Sequence, residues 1–235
     1  MIIGTRVLRP EDVGLWNEEI IQISVYSGLN NNISRVALCA RMCKKLGIRY
    51  VVHPVGYFVL DKEAYDSLLA FAKWADLALI LHDEKAPDGA RIAGQYEAQF
   101  KESLDELSSV AHLSFENATD TRDARWFWNK FSLSITLDIG HIESAGLDSA
   151  EYVRSLSPEE ISKIDYVHIH RNNGWRDGLT DHWPLSPGCR ELMALKELIR
   201  LKPDVNVILE INETQRTGES LDLLRSLRAE FIRLA

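Results

Sequence analysis

Sulfur is scarce in this sequence: three cysteines in 235 residues are an odd number, Cys39 and Cys43 sit four apart in a helical pattern, and Cys189 stands far away. No disulfide framework is implied, and a reducing, cytoplasmic setting is expected. Basic residues are outnumbered, 27 Lys and Arg against 35 Asp and Glu, for a formal net charge of -8. That balance disfavours a protein whose main task is coating nucleic acid, because phosphate binding needs a positive surface. No apolar run is long enough to span a bilayer, and the first turns carry Glu11, Asp12, Glu18 and Glu19 in place of a signal peptide's apolar stretch. Secretion and membrane insertion are not expected. Also lacking are a G-x-G-x-x-G after the first strand candidate, any G-x-x-x-x-G-K-[ST], and any low-complexity tract, so the usual nucleotide-binding open sheets lose support.

What is present is ordinary in bulk, 46% hydrophobic and 26% charged, as in an average soluble protein, and the length suits one domain over residues 1–235. Short β-branched runs alternate with amphipathic segments, the pattern of repeated β-α units. Candidate strands are Ile2 to Val7, Ile20 to Val25, Arg49 to His53, Leu77 to His82, Ala111 to Glu116, Leu133 to Asp138, Tyr166 to His170 and Val205 to Glu210. Helical stripes lie between them, such as Tyr65, Leu68, Leu69 and Ala72, or Ile92, Tyr96, Phe100, Leu104 and Leu107. Gly47 fits a helix C′ position and Asp61 a helix cap. The connection from Leu8 to Glu19 is too short for a full helix with its loops. A (β/α)8 TIM barrel with the first helix short or missing is therefore expected, with an open doubly wound sheet as the alternative.

Parallel barrels carry their chemistry at the carboxyl ends of the strands, and these ends are polar: His53, His82, Glu116, Asp138 with His141 beyond, His168 and His170, and Glu210. Alternation aims them inward, since Leu133, Ile135 and Leu137 would face helices while Ser132, Ser134, Thr136 and Asp138 face the axis. A single inward histidine is usually a hydrogen-bonded core residue. His112, at the amino-terminal end of its strand, reads that way, and His170 fits either role. Successive strands ending in imidazole or carboxylate are instead what a divalent cation needs, because burying so many ionisable groups without one is costly.

These residues, with Val51-Val52-His53-Pro54, Leu79-Ile80-Leu81-His82, Leu113-Ser114-Phe115-Glu116-Asn117, Leu137-Asp138-Ile139-Gly140-His141, Val167-His168-Ile169-His170, Asp181-His182-Trp183-Pro184-Leu185 and Ile208-Leu209-Glu210, make the chain similar to the xylose isomerase-like barrels. That group includes sugar and sugar-phosphate isomerases and epimerases and the endonuclease IV type of apurinic-site nucleases. The resemblance implies a central metal held by Glu116, Asp138, His168 and Glu210. It places His53, His82, His141 and His182 as ligands where further ions are held. In two places the chain departs from the nuclease branch: Asp181 and His182 are adjacent, with Thr180 at the expected aspartate position, and Ser186 and Arg171 replace a glycine and an aspartate. The central four are untouched.

The resemblance implies an isomerase or epimerase acting on a sugar, sugar phosphate or related polyol. Glu116 and Glu210, with His141, would carry the proton transfer, and Arg171, Trp175, Arg176 and His182 would orient substrate. The donor set suits Mn²⁺, Mg²⁺, Co²⁺ or, with full use of the histidines, Zn²⁺. Such isomerases commonly pair, so a homodimer is one outcome, and the sequence leaves the oligomeric state open. The competing reading is an endonuclease IV-like phosphodiester hydrolase, favoured by the histidine count and opposed by the acidic balance, the short loops and the altered Asp181-His182 spacing. A third is a non-catalytic barrel that binds a small ligand.

Overall fold

The alternating runs become eight strands: β1 (Ile2–Val7), β2 (Ile20–Tyr26), β3 (Arg49–Val55), β4 (Leu79–His82), β5 (Leu113–Glu116), β6 (Ile135–Asp138), β7 (Ile164–Ile169) and β8 (Asn206–Leu209). The computed structural model describes residues 1–28, 32–172, 181–212 and 216–234. In it the strands follow one another in chain order and close into a barrel, alternating with helices as a (β/α)8 architecture requires. Between β1 and β2 there is only a 3₁₀ turn, Pro10–Asp12, in keeping with the short connection. No helix among the described residues is long and apolar enough to cross a membrane. The chain divides into two compact units, Val7–Ser134 and Met1–Arg6 with Ile135–Ala235.

The unit Val7–Ser134 holds β2 to β5 and the helices α1 (Asn32–Leu46), α2 (Lys62–Ala72), α3 (Gln95–Ser108) and α4 (Ala124–Phe131). Gly47 follows α1 with φ 70, a left-handed conformation that lets the chain leave the helix at no Cβ cost. Asp61 caps α2, its side chain accepting from the backbone N–H of Glu63 and Ala64. Parallel pairing aligns Ser24 with His53 and His82 with Glu116, so one parity carries the polar residues. The other parity packs outward, where Phe115 meets Phe100 and Phe127 at ring centroids 6.3 and 5.6 Å apart. Each such aromatic pair adds about 0.5–1.5 kcal/mol beyond its buried area.

One boundary differs from the sequence reading. Ser132 does not begin a strand facing the axis: its φ is 52 as the left-handed cap of α4, and Leu133 donates to the Trp128 carbonyl at 3.0 Å. These residues finish the helix, and β6 starts at Ile135.

The unit Met1–Arg6 with Ile135–Ala235 pairs β6 with β7, β7 with β8 and β8 with β1. Register puts Asp138 beside His168, His168 beside Ile208 and Ile208 beside Gly4. A shift between Ile135 and Thr136 adds a residue to β7, which begins at Ile164, ahead of the expected Tyr166. Three short helices follow β6: α5 (Ile139–Ser144), α6 (Ser149–Ser155) and α7 (Pro158–Ser162). Each has its own side-chain cap, Asp138, Asp148 and the Ser157–Glu160 capping box, at about 1 kcal/mol apiece. The helices α8 (Arg190–Leu201) and α9 (Thr217–Leu234) complete the unit.

Candidate functional site

In the unit Val7–Ser134, His53 is 1% exposed and its Nδ1 lies 3.0 Å from the Ile80 carbonyl. A carbonyl can only accept, so the proton belongs on Nδ1 and the Nε2 lone pair faces forward. It faces Glu116, whose Oε2 is 3.1 Å away. His82 brings its Nε2 within 3.6 Å of the same oxygen, and the two imidazole centroids are 5.0 Å apart. A nitrogen lone pair and a carboxylate oxygen this close need a positive charge between them, a proton or a metal ion. The three residues each place a donor atom within 4.8 Å of the others, a spacing one cation can bridge. Fixing the far nitrogen of an imidazole by a backbone carbonyl is what metal-bound histidines usually show.

Two acids directly after His82 escaped the sequence reading. Asp83 accepts from the N–H of Ala118, Thr119 and Asp120 at 2.7, 2.6 and 2.9 Å, and Glu84 from those of Val59 and Leu60 at 2.6 and 2.9 Å. One short segment after β4 therefore ties down the loops that follow β3 and β5. Burial pushes the Glu84 carboxyl up to about 7, against the pull of those two N–H groups. His112 is exposed ahead of β5, its carbonyl accepting from Leu79 N–H; it takes no part in this cluster.

In the other unit, Asp138, His168 and Glu210 are all buried. His168 Nδ1 lies 4.0 Å from Asp138 Oδ2 and 3.9 Å from Glu210 Oε1, too far for hydrogen bonds and short enough for one ion with bonds of about 2.0–2.2 Å. The second Glu210 oxygen faces cations: His182 Nε2 at 3.3 Å and Arg6 Nη1 at 3.9 Å. His182 Nδ1 meets Asp181 Oδ1 at 3.2 Å. Burial works against a charge on His182, but the contacts with Asp181 and Glu210 prevail and lift it to about 10. The His182 contact in turn holds Asp181 down to about 2, against the effect of burial. His182 also sits at φ 57, a conformation unfavourable for a side chain with a Cβ and tolerated where the surroundings fix it.

Arg6 escaped the sequence reading, which took its arginines only from the segment after β7. Its signal is parity: it follows Gly4 on the face that carries His168. It also bonds the Asn212 side chain. His141 is partly exposed, its Nδ1 3.8 Å from Asp138 Oδ2 and its ring 5.3 and 5.8 Å from those of His170 and His182. Arg171 exchanges two backbone bonds with Trp183 at 2.9 and 3.1 Å, and its Nη1 lies 3.5 Å from Ser186 Oγ. Trp175 and Arg176 lie outside the described residues.

No family model and no curated protein matches the chain; solved structures do. A D-tagatose 3-epimerase-like protein superposes with a TM-score of 0.68 at 16% identity, covering 99% of this chain and 100% of that one. The likeness is one of fold, the (β/α)8 barrel. D-psicose 3-epimerase from Clostridium cellulolyticum H10, solved with D-tagatose, gives 0.61 at 13% identity over 97% and 99% of the two chains. A xylose isomerase-like TIM barrel protein from Mycobacterium smegmatis, solved with magnesium, gives 0.61 at 14% over 94% and 87%.

Proposed function

We propose that the chain, acting as one domain over residues 1–235, is a divalent-metal-dependent isomerase or epimerase of a sugar or sugar phosphate. The observation that carries the reading is the spacing of Asp138, His168 and Glu210, whose donor atoms approach at 3.9 and 4.0 Å, a separation one divalent ion would span. The resemblance to the xylose isomerase-like barrels implies Glu116 as the fourth ligand, and the donor set suits Mn²⁺, Mg²⁺, Co²⁺ or Zn²⁺. Similarity in fold to a protein described as an epimerase and solved with a ketohexose supports the substrate class.

An ion held by Glu116, Asp138, His168 and Glu210 would supply Lewis acidity toward a substrate carbonyl, making the adjacent C–H more acidic. The rest falls to side chains. Glu116 and Glu210 remove and return the proton at that carbon. His182, held charged by Asp181, and Arg6 keep one Glu210 oxygen oriented. His141 and Arg171, with Trp175 and Arg176, orient the sugar hydroxyls or phosphate.

The test is solvent deuterium. Metal-loaded protein incubated in D₂O with ketohexoses, aldoses and their phosphates should place deuterium at a carbon next to the carbonyl, and elemental analysis should find the ion. A silent panel would leave a barrel that binds a small ligand without chemistry. The His53, His82 and Glu116 contacts favour a second reading, a multi-ion phosphodiester hydrolase. Efficient nicking of an abasic-site duplex would establish that activity and overturn the first.

A further inference from the structure

Three histidines, His141, His170 and His182, each bring a ring nitrogen within 4.8 Å of the others, a spacing that would admit an ion. One hydrogen bond argues otherwise. The backbone N–H of His182 donates to His170 Nδ1 at 2.9 Å. A backbone N–H is always a donor, so Nδ1 must present its lone pair, and the proton of the neutral imidazole lies on Nε2. That nitrogen is buried and 3.3 Å from Asp138 Oδ1. A protonated Nε2 and an occupied Nδ1 leave His170 no lone pair for a metal.

We infer that His170 is a positioning residue and not a ligand: its imidazole, locked as the Nε2–H form with its Nδ1 holding the His182 N–H, sets its proton toward Asp138 Oδ1 and leaves Oδ2 on the side of His168, where an ion would be held. Asp138 Oδ1 accepts the His141 N–H at 2.7 Å, and the His170 Nε2 contact at 3.3 Å, close but not aligned as a hydrogen bond, falls on the same oxygen. The other, Oδ2, is the one nearest His168. His170 is held from its flanks as well. The His182 ring stacks on it, centroids 4.2 Å apart and planes 7° from parallel, and a Cβ at Gly140 would come within 2.2 Å of its Cε1, so only glycine leaves the ring its place. His53 makes the contrast, since its Nδ1 meets a carbonyl and its Nε2 keeps the lone pair. The inference rests on the proposed role of Asp138 as a metal ligand.

Histidine ring ¹⁵N spectra of the whole protein, without metal and with Zn²⁺, test it directly. His170 should show a proton on Nε2 and none on Nδ1 in both states. A proton on Nδ1, or loss of the Nε2 proton on adding Zn²⁺, overturns the inference. In calorimetric Zn²⁺ titration, His170→Ala should weaken binding about 10–100-fold, the range for outer partners of metal ligands, with the number of ions per chain unchanged. Loss of one ion, or unaltered affinity, overturns it. His170→Asn keeps an acceptor for the His182 N–H but does not reach Asp138, so it should match wild type in hydrogen exchange at the His182 amide while binding Zn²⁺ as weakly as the alanine variant. Wild-type protein that takes up no Zn²⁺ would refute the proposed function, while the metal-free spectrum still decides the His170 tautomer.

Discussion

The two units solve the problem of displaying charge at strand ends in opposite ways. In Val7–Ser134 a single carboxylate, Glu116, is met by two imidazoles, and the nearby acids Asp83 and Glu84 are spent on holding loops. In the other unit two carboxylates flank one imidazole, His168, and the outer ring of His170, His182 and Arg6 holds the carboxylates themselves. Backbone carbonyls and N–H groups decide which role an imidazole takes: the same residue type becomes ligand-like at His53 and a brace at His170.

The contrast can be broken experimentally. The largest effect is expected on turnover: Glu116→Gln and Glu210→Gln should each reduce deuterium incorporation by about 1,000-fold or more, an amide being unable to relay the proton or match the carboxylate toward an ion. An active Glu210→Gln variant would remove it from the ligand set. Next comes Phe115→Ala, which empties the aromatic cluster behind β5 and should cost about 3–5 kcal/mol in urea unfolding; a loss below 1 kcal/mol would mean that cluster does not hold the unit.

Glu84 gives a pH signature. Its folded value near 7 stands above the ordinary 4.5, so between those values the folded state holds the proton more tightly than the unfolded chain. The stabilisation is complete below pH 4.5 and is lost as pH rises through 7, amounting to about 3 kcal/mol at most. Wild-type stability measured relative to Glu84→Gln should fall across that window, and a flat difference would count against the burial argument. Smallest, Gly140→Ala should cost about 1–3 kcal/mol by crowding the His170 ring, with most of the loss absent when His170→Ala is already in place. Additive effects of the two changes would separate Gly140 from His170.

Much of this was legible beforehand because strand periodicity is two: once the runs ending in His82, Glu116, Asp138 and His168 were found, parity said which side chains share a face. The short first connection was equally readable from the number of residues between Leu8 and Glu19. Ser132 was misplaced because alternation continued back past a helix end, and nothing local marks Ser132 as left-handed. The role of His170 was undecidable because its tautomer is set by the N–H of His182, which arrives through a loop whose path the sequence does not fix. Asp83 and Glu84 look like surface acids in one dimension, since their partners lie on other loops.

The three bonds that Asp83 accepts from Ala118, Thr119 and Asp120 carry an evolutionary consequence. Consecutive amides converge on one carboxylate only if the segment after Asn117 keeps its length, so an insertion or deletion there would strip all three bonds at once. Drift toward new specificities is thereby steered away from this loop and into segments whose length no such knot prescribes.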